Sequence, residues 1–216
     1  VNLILFGPPG SGKGTYASRL QQKLGLPAIA TGDMLRDIVQ EDSELARTTK
    51  EYMSKGELVP DNIVIEVLKH RLSKGDCGKG SILDGFPRTI DQAKALDQVT
   101  RIDVIVNLSV PEWIIVKRLT SRRICKECGE VYNILYLKPK KEGVCDKCGG
   151  ELYQRTDDTP KVVKERLKIY EEQTKPIIEH YRGRVPMVGF RCKRLNMPPE
   201  EAIEEILEKL GKLNLQ

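Results

Sequence analysis

Nine consecutive residues near the start of the chain, Gly7-Pro8-Pro9-Gly10-Ser11-Gly12-Lys13-Gly14-Thr15, have the makings of an anion cradle. Glycines let main-chain N–H groups converge on one point with no Cβ in the way. The apolar run at 3–6 predicts a strand leading into the loop. The residues from 12 to 24 predict a helix whose positive end aims at the same point. Lys13 adds an ammonium, and Thr15 a hydroxyl within reach of a magnesium ion. A glycine-rich turn alone would be no more than a turn. Strand, loop, lysine and hydroxyl together read as a site for nucleotide phosphates, held by Gly10, Ser11, Gly12, Lys13, Gly14 and Thr15. Gly14 separates Lys13 from Thr15, so the hydroxyl comes one residue later than in the standard pattern.

A second group carries different chemistry. Cys125, Cys128, Cys145 and Cys148 follow the spacing C-x2-C-x16-C-x2-C, that of a zinc ribbon. Four thiolates leave no open coordination position, so such a metal, zinc in the first reading and iron in the second, is structural. Cys77 and Cys192 stand alone and read as ordinary buried thiols.

Carboxylates and arginines make up the third group. Asp84 ends the apolar run 81–83, where a carboxylate beside a phosphate loop can hold magnesium through water. Arg88 follows about one turn later. Thr31 and Asp33 are placed to cap a helix, with Arg36 one turn into it. Arg118 and Arg122, four apart, are expected to share a helix face, and Arg123 adjoins them. Arg155 and Arg166 flank Asp157 and Asp158. Each arginine singly is most simply a solvated charge; the set, placed at the borders of two inserts, points to a polyanionic ligand. The two histidines, His70 and His180, lie in no motif, which argues against histidine acid–base chemistry.

The positioning elements follow from apolar patterning. Strands are predicted at 3–6, 27–30, 81–84, 104–108 and 185–190. Their unbroken apolar runs suit strands buried on both faces of a parallel sheet. Helical segments between them give an α/β class. Two stretches break the rhythm: 30–59, helical and polar, and 121–158, which carries the four cysteines. Thr159-Pro160 reads as a helix start, and Pro176 should kink or restart that helix. A last helix follows Pro198-Pro199, with Ile203, Ile206, Leu207 and Leu210 facing inward. The 216 residues suffice for one sizeable core with inserts, and the net charge of +5 suits anionic partners. No apolar window reaches membrane-spanning length and no signal peptide is recognisable, so a cytoplasmic location is the default expectation.

With these motifs assembled, the chain resembles the adenylate kinase family, in its long form with a zinc-binding lid. The resemblance rests on G-P-P-G-S-G-K-G-T at 7–15, T-G-D-M-L-R at 31–36, G-E-L-V-P-D at 56–61, L-D-G-F-P-R-T at 83–89, R-L-T-S-R-R-I-C at 118–125 and Y-Q-R-T-D-D at 153–158. It implies a P-loop three-layer α/β sandwich with a five-stranded parallel sheet (1–29, 60–120 and 159–216), a helical AMP-binding insert (30–59) and a zinc-ribbon lid (121–158). It implies reversible, magnesium-dependent transfer between ATP and AMP to give two ADP, by a monomer with no nucleic-acid or membrane partner. For ATP the resemblance implies the loop residues together with Arg118, Arg122, Val131 and Tyr132. For AMP it implies Thr31, Arg36, Glu57, Leu58, Val59, Gly85, Phe86, Pro87, Arg88 and Gln92, with Arg155 and Arg166 bridging the substrates. Lys13, Arg88, Arg122, Arg155 and Arg166 would stabilise the transferring group, and Asp84 the magnesium. Tyr16 stands where the family has glutamine, and Ala30 where serine is common. Arg191-Cys192-Lys193-Arg194-Leu195-Asn196 replaces the usual acidic-glycine turn, and no base-contacting residue is assigned there. Two other readings stay open: a kinase using GTP or another monophosphate, and a P-loop zinc-ribbon protein that binds nucleic acid.

Overall fold

A computed structural model describes residues 1–213. In chain order the elements are β1 (Asn2–Phe6), α1 (Lys13–Leu24), β2 (Ala28–Ala30), α2 (Thr31–Ile38), α3 (Glu44–Lys55), α4 (Asp61–Leu72), β3 (Ser81–Asp84), α5 (Ile90–Val99), β4 (Val104–Ser109) and α6 (Glu112–Thr120). Then follow β5 (Arg122–Cys125), β6 (Val131–Asn133), β7 (Leu152–Tyr153), α7 (Pro160–Ile169), α8 (Ile177–Tyr181), β8 (Met187–Arg191) and α9 (Pro199–Gly211).

Five strands form one parallel sheet in the order β2-β3-β1-β4-β8. Alternate residues of β1 enter different cores, as the two-residue period of a strand requires. Leu3 and Leu5 pack with α1, α6 and α9 through Leu20, Ile114 and Ile206. Ile4 and Phe6 pack with α4, α5 and α8 through Leu68, Leu96 and Tyr181. These two cores on either face of the sheet make the three layers. Leu5 of β1 is opposite Asp84 of β3, so the loop after β1 and the carboxylate ending β3 emerge side by side. Such a crevice at the carboxyl ends of parallel strands is where open α/β sheets hold ligands.

Two segments interrupt the alternation of sheet strands and helices, the first of them still packing Leu35 into the core beside Ile4 and Phe6. The helices α2 and α3 lie between β2 and α4, and Ser43 caps α3 by accepting the Ala46 N–H at 3.0 Å. Three short antiparallel strands, β6-β5-β7, form a second sheet that carries the cysteines. Thr159 caps α7, with Pro160 at its first position. The restart expected at Pro176 is present: a π-turn at Tyr170–Thr174 ends the helix, and α8 begins just past the proline.

Three expectations are corrected. Arg118 and Arg122 do not share a helix face, because α6 ends at Thr120 and Arg122 already belongs to β5. Cys77 is half-buried at the end of a 3-10 turn, whereas Cys192 is fully enclosed, as expected. The last strand runs two residues later at its start than the apolar run suggested.

Ile206 on α9 is fully buried and lies outside the crevice. Ile206→Ala should lose about 2–5 kcal/mol of stability in urea unfolding while ligand binding by the folded protein is retained.

Candidate functional site

The crevice opens into a cavity of about 460 Å³. Its floor is the loop between β1 and α1. Gly10 and Gly12 have φ of 74° and 99°, conformations open to glycine and costly for other residues. A Cβ at Gly10 would also sit 2.8 Å from Leu119 Cγ, so close packing against α6 reinforces the requirement. Gly10, Gly12, Lys13, Gly14 and Thr15 line the cavity. Ser11 is fully buried beneath them and is not part of the lining. Tyr16, the departure after the loop, packs edge-on against Phe190 in the core, with ring centroids 5.9 Å apart.

Lys13 Nζ donates to the carbonyls of Gly7 and Pro8 at 2.7 and 2.8 Å. Desolvation in the crevice lowers its pKa to about 7; Asp84 opposes that shift, and Arg88, Arg166 and Arg122 add to it. Asp84 is pushed the other way: desolvation raises its carboxyl above the usual range against the pull of Lys13 and Arg88.

Beyond β3, the Gly85–Arg88 corner is held by a small network. The Thr31 hydroxyl donates to Gly85 O at 2.9 Å, and Arg88 Nε donates to the same carbonyl at 2.7 Å. The Arg88 N–H donates to Gln92 Oε1 at 2.7 Å, and Gln92 Nε2 donates to Asp61 Oδ1 at 2.7 Å. Asp61 also accepts the Thr89 hydroxyl at 2.7 Å. Gln92 therefore lines the cavity with both ends of its amide already engaged. Thr31, Arg36, Glu57, Leu58, Val59, Gly85, Phe86, Pro87 and Arg88 line the same wall.

Besides Arg88, four arginines reach the cavity from three parts of the chain, and each of the four meets a carboxylate. Arg36 Nη2 lies 2.6 Å from Asp33 Oδ1, and Arg155 Nη2 lies 3.0 Å from the same oxygen. Arg122 binds Asp158 with both Nε and Nη2, at 2.8 and 2.7 Å. Arg166 Nη1 donates to Asp157 Oδ2 at 2.9 Å. Burial works to raise Asp33 and Asp157, but the guanidinium groups overcome it and hold both below the usual carboxylate range. Desolvation and the neighbouring positive charges lower Arg88 and Arg155 to about 10. Six cations outnumber the four carboxylates that line the same cavity, which suits it to an anionic ligand.

The cavity does not collect every expected residue. Arg118 is buried away from it, with Nη2 donating to Cys192 Sγ at 3.1 Å and to Leu195 O at 3.3 Å. Val131 lines the cavity, but the ring of neighbouring Tyr132 is turned into the core of the cysteine-bearing sheet. The sequence reading missed the structural part of Asp61 and the double pairing of Asp33. For Asp61, its place in the first turn after Pro60 was a usable signal. For Asp33 there was none, since Arg155 is 122 residues away.

The four cysteine sulfurs lie within 4.8 Å of one another, with Cys125–Cys148 at 3.4 Å and Cys128–Cys145 at 3.6 Å. Sulfurs about 2.3 Å from a tetrahedral metal stand roughly 3.8 Å apart, so the donor set and its geometry fit zinc. Asp84 fits a harder cation: its Oδ2 would be 3.2 Å from a Cβ at Gly14, hence directly beside the phosphate loop. Among the described residues, no helix is long and apolar enough to cross a membrane.

Comparison with known proteins agrees with this geometry. The family profile described as adenylate kinase matches residues 5–185. A protein of Archaeoglobus fulgidus named adenylate kinase is 50% identical over 215 residues, covering 97% of this chain and 99% of its own. One of the same name from Caldicellulosiruptor bescii is 53% identical over 217 residues, covering 98% and 99%. Another from Clostridium tetani is 44% identical over 219 residues, covering 99% and 100%.

Lys13 gives a pH signature in the ligand-free protein. Between about pH 7 and the ordinary lysine range near 10.4, the unfolded chain carries a proton on this side chain that the folded chain lacks. Its contribution to stability therefore rises with pH across that window. Denaturant unfolding from about pH 7 to 9.5 should show a steeper upward trend for the native sequence than for Lys13→Met; parallel curves would contradict the lowered pKa.

Proposed function

The chain belongs to the adenylate kinase family, and on that premise we propose that it catalyses reversible phosphoryl transfer from magnesium-bound ATP to AMP, giving two ADP. The observation that carries the reading is the convergence of Lys13, Arg36, Arg88, Arg122, Arg155 and Arg166 on one cavity between a phosphate loop and the Gly85–Arg88 corner.

In this reading, residues 30–59 receive AMP, residues 121–158 close as a lid, and the rest forms the core. Gly10 to Thr15 surround the ATP phosphates with N–H donors, the Lys13 ammonium and the Thr15 hydroxyl. Arg122 and Val131 approach ATP from the lid. Thr31, Arg36, Glu57, Leu58, Val59, Gln92 and residues 85–88 form the AMP side, with Arg155 and Arg166 between the two. Asp84 would hold magnesium through water, and that ion supplies charge neutralisation on the transferring phosphates. The resemblance gives Arg118 to the donor base; its guanidinium, held outside the cavity by Cys192 and Leu195, would have to be released from them to reach it.

The attacking group is an AMP phosphate oxygen, already anionic near neutral pH, so no general base is needed. Catalysis then reduces to position and charge. Two unit charges 4 Å apart interact by roughly 4 kcal/mol at an effective dielectric near 20, so several guanidinium groups offset much of the repulsion between two nucleotides. Phosphates entering the cavity replace Asp33 and Asp157 as partners of Arg36, Arg155 and Arg166. Closure of the lid excludes water, which would otherwise accept the phosphoryl group. The four-cysteine cluster holds zinc as a structural staple, because a lid this small lacks a sufficient core of its own.

A coupled assay should show ADP formation that requires both ATP and AMP; turnover without AMP, or none, would reject the reading. Arg155→Ala should lower kcat at least about a hundredfold with the fold intact. Chelation of zinc should lower the melting temperature, while ADP formation continues below it; loss of catalysis from a still-folded protein would assign the metal a catalytic part.

A further inference from the structure

The two cysteine knuckles are built to one plan, with one difference. In the first, the Cys125 N–H donates to Glu130 O at 2.9 Å and the Gly129 N–H to Cys125 O at 3.1 Å. In the second, the Cys145 N–H donates to Gly150 O at 2.8 Å and the Gly149 N–H to Cys145 O at 2.9 Å. The residue after each leading cysteine departs from the symmetry. Lys126 N–H donates to a main-chain oxygen, Glu151 O, at 2.9 Å. Its counterpart, the Asp146 N–H, donates to the hydroxyl oxygen of Tyr132 at 2.7 Å.

That side chain reaches in from β6 and is only 6% exposed, enclosed with Cys125, Cys145 and Leu152. Its hydroxyl oxygen stands 3.5 Å from Cys145 Sγ. A phenol has one proton to give. With the oxygen already accepting the amide, that proton is directed to the acceptor within reach, the sulfur. Sulfur accepts well as a thiolate, the form in which cysteine ligates a metal.

We propose that Tyr132 is a positioning residue of the lid's metal centre, its hydroxyl donating to the Cys145 sulfur and fixing that thiolate toward a bound divalent ion. The inference rests on the reading of the four thiols as a metal site. It gives Tyr132 a task other than the contact with ATP that the resemblance implies, and it links the metal to the cavity. Tyr132 pairs with Arg123 in the β5–β6 ladder, and the residues beside that pair, Val131 and Arg122, both line the cavity. One strand thus touches the metal's ligand through its ring and the cavity through its neighbour.

The test uses the full-length protein. Tyr132→Phe should bind zinc about 10–100-fold more weakly, measured by competition with a chromophoric chelator. In the cobalt-substituted protein, its sulfur-to-metal charge-transfer band should move to lower energy, because the sulfur lone pairs lose a hydrogen bond. Leu152→Ala, which loosens the same small core without removing a hydrogen bond to sulfur, should leave the band in place. An unshifted band and unchanged zinc affinity in Tyr132→Phe, or an equal band shift in Leu152→Ala, would overturn the proposal. Should Tyr132→Phe fail to fold, the native sequence loaded with a magnetically active cadmium isotope decides. The Hβ protons of the four ligating cysteines should couple to the metal and report that it is bound. The Tyr132 hydroxyl proton should couple as well, and cysteine signals without it would refute the assignment. Failure of the native protein to take up zinc, cobalt or cadmium would instead overturn the reading of the thiols.

Discussion

Crowding of like charge is the constraint around which the molecule is arranged. Lys13, Arg36, Arg88, Arg122, Arg155 and Arg166 share one cavity, and without partners they would repel one another in a poorly solvated space. The fold answers with carboxylates delivered from each segment. Asp33 comes from α2, and Asp157 and Asp158 come from the chain between β7 and α7. These pairs keep the cations ionised and oriented. The pKa of Lys13 is lowered chiefly by desolvation in the crevice, with Arg88, Arg166 and Arg122 adding to the shift and Asp84 opposing it. A site so prepared does not need to be assembled by its ligand; it needs its internal anions exchanged for external ones.

The rest of the architecture serves that arrangement. Parallel strands bring the phosphate loop and Asp84 to the same edge because β1 and β3 are neighbours in register. The two flanking cores pack against that edge, while Arg36, Arg122 and Arg155 come from the segments between β2 and α4 and between α6 and α7. The Thr31–Gly85–Arg88–Gln92–Asp61 network joins the floor to the start of α4, and Thr174, in the π-turn, holds the Arg88 carbonyl at 2.9 Å from the opposite side.

Much of this is legible in the chain itself. Strands show as unbroken apolar runs because both of their faces are buried, and the phosphate loop and cysteine ribbon are local in sequence. What is not legible is non-local or depends on where a helix stops. The spacing of Arg118 and Arg122 suggests one helix face, but Ser121 ends the helix and turns the chain into β5, sending one arginine to the core and the other to the cavity. The pairing of Asp33 with both Arg36 and Arg155 joins distant segments that carry no common pattern. Tyr132 lies in a motif expected at the nucleotide, yet its ring faces sulfur, and a two-residue strand period cannot say which side of a small sheet holds the metal ligands.

The hydrogen bonds from Lys13 to the carbonyls of Gly7 and Pro8 carry one more implication. In this state the loop is self-satisfied: its own lysine sits where an arriving oxyanion would want it. A bound phosphate would take those hydrogen bonds from the two carbonyls and, by its negative charge, favour the protonated form of the lysine. A small monovalent ion gains little over the two carbonyls it displaces, whereas a chain of linked phosphates gains several contacts at once. On the proposed function, the resting position of this one side chain thus favours linked phosphates over simple anions.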